Sequence, residues 1–326
     1  MAKQSLNLDL LLVSAQADWG VEETGLDAGD FIETIGPAKL KLNSNPNEID
    51  LIGGGFEQDA SIPGAQEIDL SLAVHARSNG NDAAGQFGLL LTCAGMKQSE
   101  STPTGGTFTY VPTSLISEQF DFTAWMYSGQ IGTEACFLYK AFNGLFIPKW
   151  TFETGKPCVM DLSAKMCYSG IPALATQPTS ASSPALAKQR TLPPAFMGLN
   201  THLILNSAVY QIISAEIDMG QEAALTVDAG AAYGRAESIF LKRKIKWKAK
   251  CYKDTTVDPE TALLGKTIAA VTFDFGVIPQ RHSFSSTYGQ ITNISNSDEG
   301  GIETWDLEGI FERNDFTIIQ YTHIVV

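Results

Sequence analysis

"GLFIPKWTFETGKPCVMDLSAKMCYSG" runs from Gly144 to Gly170. Its middle, "TFETGKPCVMDL", reads as a hairpin that turns at Gly155-Lys156-Pro157, because Gly and Pro break the apolar runs on either side. The second arm, "VMDLSAKMCY" from Val159 to Tyr168, alternates apolar and polar residues. Alternation of period two marks a strand, whose successive side chains point to opposite faces of a sheet. The same kind of segment recurs along the chain as "GTFTYVP", "FDFTAWMY", "ACFLYKAF", "AAVTFDFG" and "FTIIQYTHIVV". These β-branched and aromatic runs are bounded by Gly, Pro, Asn or Asp. The expected fold is mainly β: two β-sandwich or partly closed barrel domains, each with a short helix on its flank.

The domain boundary is expected at a joint. "GIPALATQPTSASSPALAKQRTLPPAF", from Gly170 to Phe196, holds five prolines around a Ser, Thr and Ala middle. That composition stays extended and packs no core. It separates residues 1–169 from residues 197–326, with 170–196 as the joint. The two parts read as degenerate copies. "LKLNS" (Leu40–Ser44) is echoed by "LILNS" (Leu203–Ser207). "AQEIDLSLAVHA" (Ala65–Ala76) and "LKRKIKWKAKCY" (Leu241–Tyr252) take matching places. Each precedes a short helical stretch opened by an acid, near Asp82 in the first copy and at Asp258 in the second. There Asp258 is the expected cap and Pro259 the first helical residue. "VMDLSAKMCY" and "TWDLEGIFER" (Thr304–Arg313) close their respective units.

"LKRKIKWKAKCY" carries Lys242, Lys244, Lys246, Lys248 and Lys250 on alternate residues, which as one strand makes a face of five ammonium groups. The surrounding chain is acidic, with a formal net charge of −14. Residues 1–169 hold 20 acids and 9 bases, and residues 170–326 hold 16 acids and 13 bases. This balance excludes a general nucleic-acid binder, which needs cations to displace the counterions on phosphate.

Motifs of chemistry are missing. The five cysteines show no C-x-x-C spacing and are read as buried, reduced thiols. His75, His202, His282 and His323 stand apart and form no metal-binding pattern. "LLGKT" (Leu263–Thr267) lacks the upstream glycine of a phosphate-binding loop, where the chain has Glu260. "LIGGGFEQ" (Leu51–Gln58) precedes no helical pattern and is read as a loop. No cofactor, metal site or enzymatic activity is expected. The apolar run at the N-terminus is too short to span a membrane and is read as a first strand or arm.

The order of motifs resembles the tail tube (major tail) proteins of tailed bacteriophages. It is carried by "QFGLLLTCAGM" (Gln86–Met96), "FTYVPTS" (Phe108–Ser114), "TAWMY" (Thr123–Tyr127) and the hairpin stretch, followed by the proline-rich joint. The resemblance covers mainly residues 65–175. It implies two tandem tail-tube-like domains and a structural virion protein. Such subunits form rings whose inner sheets join into one barrel, and the rings stack into a hollow tube that DNA crosses during ejection. A duplicated chain implies a ring of three copies with pseudo-sixfold symmetry. The implied partners are further copies of the chain and other tail proteins: tape measure, tail tip or baseplate, and terminator. DNA would pass without specific binding, and no membrane is involved. The implied location is the virion tail, assembled in the host bacterial cytoplasm. The competing readings are the tube of a contractile injection or type VI secretion machine, or a carbohydrate-binding or adhesion module with Trp125, Trp150 and Trp247 at a sugar site.

On the tube reading the lysine face is expected to point away from the lumen and to serve assembly. Three partners are candidates: Asp306, Glu308 and Glu312 of the closing strand, Glu67 and Asp69 of the matching strand in the first copy, and the adjacent ring. A basic strand meeting an acidic one would order unlike copies around the ring.

Overall fold

The computed structural model describes residues 10–17, 21–24, 26, 30–44, 65–77, 86–100, 107–115, 118–128, 136–170, 173–175, 198, 200–231, 234–254, 258–277, 280–311 and 315–321. Most of the proline-rich joint lies outside them, as do Asp82, Glu312, His323 and "LIGGGFEQ".

Nineteen strands and two short helices make up the described chain. The first half contains β1 (Leu10–Ala15), β2 (Lys39–Ser44), β3 (Gln66–His75), helix α1 (Gln86–Thr92), β4 (Met96–Glu100), β5 (Thr107–Pro112), β6 (Phe122–Ser128), β7 (Cys136–Gly144), β8 (Ile147–Glu153), β9 (Val159–Tyr168) and β10 (Ala173–Ala175). The second contains β11 (His202–Leu205), β12 (Ala208–Asp218), β13 (Gln221–Val227), β14 (Arg235–Arg243), β15 (Lys246–Tyr252), helix α2 (Pro259–Leu264), β16 (Ile268–Val277), β17 (Gln280–Glu299), β18 (Ile302–Phe311) and β19 (Thr317–Tyr321). The fold is mainly β, and every pairing between these strands is antiparallel.

Local signals in the sequence land where their chemistry puts them. β8 and β9 form the hairpin, and Gly155 supplies φ +80° at the turn, where a side chain would be strained. Asp258 caps α2 by accepting from the backbone N–H groups of Glu260 and Thr261, with Pro259 behind it in the first turn. Cys93, Cys158, Cys167 and Cys251 are free and buried, and burial pushes the Cys167 and Cys251 thiols up to about 12.

Two repeats of four strands emerge from the pairings. In the first, the order is β2-β3-β9-β8. In the second it is β12-β15-β18, followed by the C-terminal half of β17. Asp161-Leu162 on β9 and Asp306-Leu307 on β18 occupy equivalent places, opposite Ala73-Leu72 and Lys250-Ala249 respectively. Two residues further along, a large side chain faces a small one in both repeats, Leu70 opposite Ala164 and Trp247 opposite Gly309. The "LKLNS" and "LILNS" echo is a correction. Leu40–Ser44 lies on β2, but Leu203–Leu205 lies on β11, which pairs with β12 and β16 and has no counterpart role. A shared short motif does not carry topology.

The repeats are joined edge to edge. β8, at the end of the first, pairs with β12, at the start of the second, setting Trp150 opposite Ile217 and Phe152 opposite Ala215. The result is one continuous sheet in the order β2-β3-β9-β8-β12-β15-β18-β17. A second joint runs between β19 and β5. Within the second half β12, β15, β18, β17, β16 and β11 also close into a barrel. One apolar cluster spans both halves. Trp150 packs edge-on against Phe284, and Phe152 stacks on Phe275.

His282 is fully buried in this core, with its ring 4.8 Å from that of Phe87. Burial holds its pKa down to about 3, since a charged imidazolium is poorly solvated there. An unfolded histidine takes its proton near pH ~6.5. Below that pH the unfolded chain binds a proton that the folded chain refuses. His282 therefore contributes stability that is complete above about pH 6.5 and lost, by up to about 1.4 kcal/mol per pH unit, as pH falls toward the folded value. Urea unfolding at pH 7 and pH 5 is expected to show a lower midpoint at pH 5. His282→Phe, which keeps the ring packing, is expected to shrink that difference.

Candidate assembly surface

The continuous sheet has one face in the core and one free face. The free face gathers the residues singled out in the sequence. Lys246, Lys248 and Lys250 project from β15, and Asp306 and Glu308 from β18 beside it. Glu67 and Asp69 lie on β3 in the other repeat.

The lysine stretch is not one strand, and the expected face of five ammonium groups is corrected accordingly. β14 ends at Arg243, Lys244 and Ile245 form a link, and β15 begins at Lys246. Lys242 belongs to the separate β13–β14 ribbon, where it bonds Glu222 at 2.9 Å. Lys244 lies at the crossing, its N–H donating to the carbonyl of Gly220. A glycine permits the close crossing at this break. Gly220, at φ +53°, packs so closely under the Lys244 carbonyl that a side chain there would overlap it.

Of the three expected partners for the lysines, the closing strand is the one in contact within the chain. Lys248 lies opposite Glu308 and donates to it at 2.7 Å, and Lys250 lies opposite Asp306 and bonds Glu299. These hydrogen bonds raise the pKa of both lysines and lower that of Glu308. The pairs are largely exposed and screened by solvent, so they add little to stability. The acids of β3 are engaged elsewhere: Glu67 pairs with Arg235 at 3.4 Å, and Asp69 accepts from Asn43 Nδ2 at 2.5 Å. Lys149 and Glu216 form an ion pair of 3.0 Å across the β8–β12 joint itself.

The β13–β14 ribbon crosses from the second half onto the first. Arg243 donates to the carbonyl of Gly95, Gln221 to that of Ala94, and Asn143 to that of Ala236. Burial lowers the Arg243 pKa to about 10. Sequence reading missed this strap because its contacts bridge distant parts of the chain.

The free face is concave over the first repeat. An open depression of about 470 Å³ crosses β2, β3, β9 and β8 and reaches Asp218 on β12. Among the described residues no cluster of His, Cys, Asp and Glu is arranged to hold a metal, and no helix is long and apolar enough to cross a membrane. Trp150 and Trp247, which a sugar-binding face would expose, are buried.

β2 pairs with β3 on one side, and residues 291–299 of β17 pair with β18 on one side. Neither has a strand on its outer edge among the described residues. The chain matches no protein-family model and no curated protein sequence.

Proposed function

We propose that this chain is a structural, self-assembling tube protein of a phage tail, whose stacked rings enclose a passage for DNA. The observation that carries the reading is the β8–β12 joint, where two like four-stranded repeats add head to tail into one sheet. A head-to-tail contact of this kind generates a ring when its rotation closes. The β13–β14 strap reinforces the same joint from one repeat onto the next.

Strand spacing fixes the size of such a ring. Three copies bring 24 strands at about 4.8 Å each, tilted by roughly 40°, giving a barrel about 45–50 Å across and a bore of about 30–40 Å after side chains. That admits a DNA duplex. Six copies would double the barrel, so three is the expected number.

The face away from the core would line this bore, which brings Lys246, Lys248 and Lys250 into the lumen. The sequence expectation that lysines avoid the lumen gives way on this reading. Its purpose is still met, because Glu308 and Glu299 engage two of those lysines within the chain. A wall of paired charges offers DNA phosphate little counterion-release gain. In virions the ring would meet further copies and the tape measure, tip and terminator proteins.

Negative-stain electron microscopy over a concentration series tests the reading. Hollow rings or tubes are expected. Dispersed monomers at every concentration, together with binding to a glycan array, would overturn it in favour of an adhesion module.

A further inference from the structure

We infer that the outer edge of β2 in one copy pairs with the outer edge of residues 291–299 of β17 in the next. This inference rests on the ring reading and names the contact that closes it. β2 stands in the first repeat where β12 stands in the second, and the C-terminal half of β17 stands where β8 stands in the first. Since β8 already pairs with β12, repeating that joint brings β17 against β2.

The same equivalence gives the register. Aligning Asp161-Leu162 with Asp306-Leu307 makes Trp150 equivalent to Asn296 and Lys149 to Ser295. Aligning Leu70 with Trp247 makes Leu40 equivalent to Ile217 and Lys41 to Asp218. The joint is therefore antiparallel, with Leu40 opposite Asn296, Lys41 opposite Ser295 and Leu42 opposite Ile294.

The side chains on the two edges are complementary. Leu42 is 48% exposed, and Ile294 opposite it is only partly covered by the core. Lys39 comes opposite Ser297 and diagonally next to Glu299, on the other diagonal from that of Lys149 and Glu216 in the joint within the chain, and there it would share Glu299 with Lys250. The base and the acid exchange sides between the two joints, so a copy discriminates its own inner joint from its outer one. Two strand edges that carry no further strand among the described residues invite uncontrolled pairing unless a partner covers them. A second copy covers both at once.

The test is the double variant Lys41→Cys/Ser295→Cys. Opposed residues in an antiparallel pair lie about 4.5–5.5 Å apart at Cα, within disulfide reach. Inside one copy six strands separate the two positions, about 34 Å along the sheet. Mild oxidation at assembling concentration is expected to give covalent dimers and trimers from the double variant, and neither from the single variants. As a second measurement, Lys39→Glu/Lys41→Glu is expected to keep the wild-type circular dichroism and lower the sedimenting, assembled fraction by at least about tenfold. Rings without the cross-link, or rings undiminished by the charge reversal, would overturn the β2–β17 joint while leaving the tube reading intact. Neither rings nor cross-links in any variant would overturn both.

Discussion

Trp150→Ala is expected to lower stability by about 3–5 kcal/mol, the range for losing a fully buried large aromatic. The site cannot collapse easily. Trp150 is 0% exposed, its ring packs on Phe284, and Ile217 lies opposite it on β12. The distinctive expectation concerns cooperativity. Trp150 belongs to the first half, and Phe284 and Ile217 to the second. Removing the indole should weaken both halves together. Urea unfolding followed by far-UV circular dichroism and by tryptophan fluorescence should show coincident transitions, both shifted to lower urea. Two separate transitions, only one of them shifted to lower urea, would mean that the halves are independent and that the β8–β12 joint contributes little.

Gly309→Val is expected to be nearly as severe. Gly309 lies opposite Trp247 on the neighbouring strand, and a Cβ at this position would overlap the Trp247 indole and the carbonyl of Gln290. Trp247 is 1% exposed and packs edge-on against Phe273, so it has nowhere to retreat. Overpacking of this kind costs about 1–3 kcal/mol, and the clash with backbone on the other side places the variant at or above the top of that range. Trp247→Leu in the Gly309→Val background should recover part of the loss, because it removes the obstructing ring. Thermal unfolding of the four chains of that double-mutant cycle measures the coupling. Additive losses would show that the glycine does not serve the indole.

These two sites show what could and could not be read from the sequence. The hairpin at Gly155-Lys156-Pro157, the cap at Asp258, and the facing of Lys248 and Lys250 to Asp306 and Glu308 were legible, because each is local or follows from strand alternation. Trp247 in an alternating strand was legible as buried, but its glycine notch was not, since Gly309 lies on a strand from a distant part of the chain. The break after Arg243 was hidden for a related reason. Ile245 is 3% exposed and keeps the alternation intact while the chain changes partner from β13 to β12 and β18. Period two reports which side is buried and says nothing about which strand lies alongside. The joint of β8 to β12 was invisible for the same reason, although the likeness of β9 and β18 was legible in "VMDLSAKMCY" and "TWDLEGIFER".

The measurement that bears most directly on the account is a cryo-electron microscopy reconstruction of the assembled protein, read for the number of chains and the strand order around the ring. Three chains are expected, with six like four-stranded repeats and an unbroken antiparallel wall in which the β8–β12 joint alternates with a joint between copies. A ring of six chains, or an assembly whose copies meet through surfaces other than the ends of the continuous sheet, would contradict it.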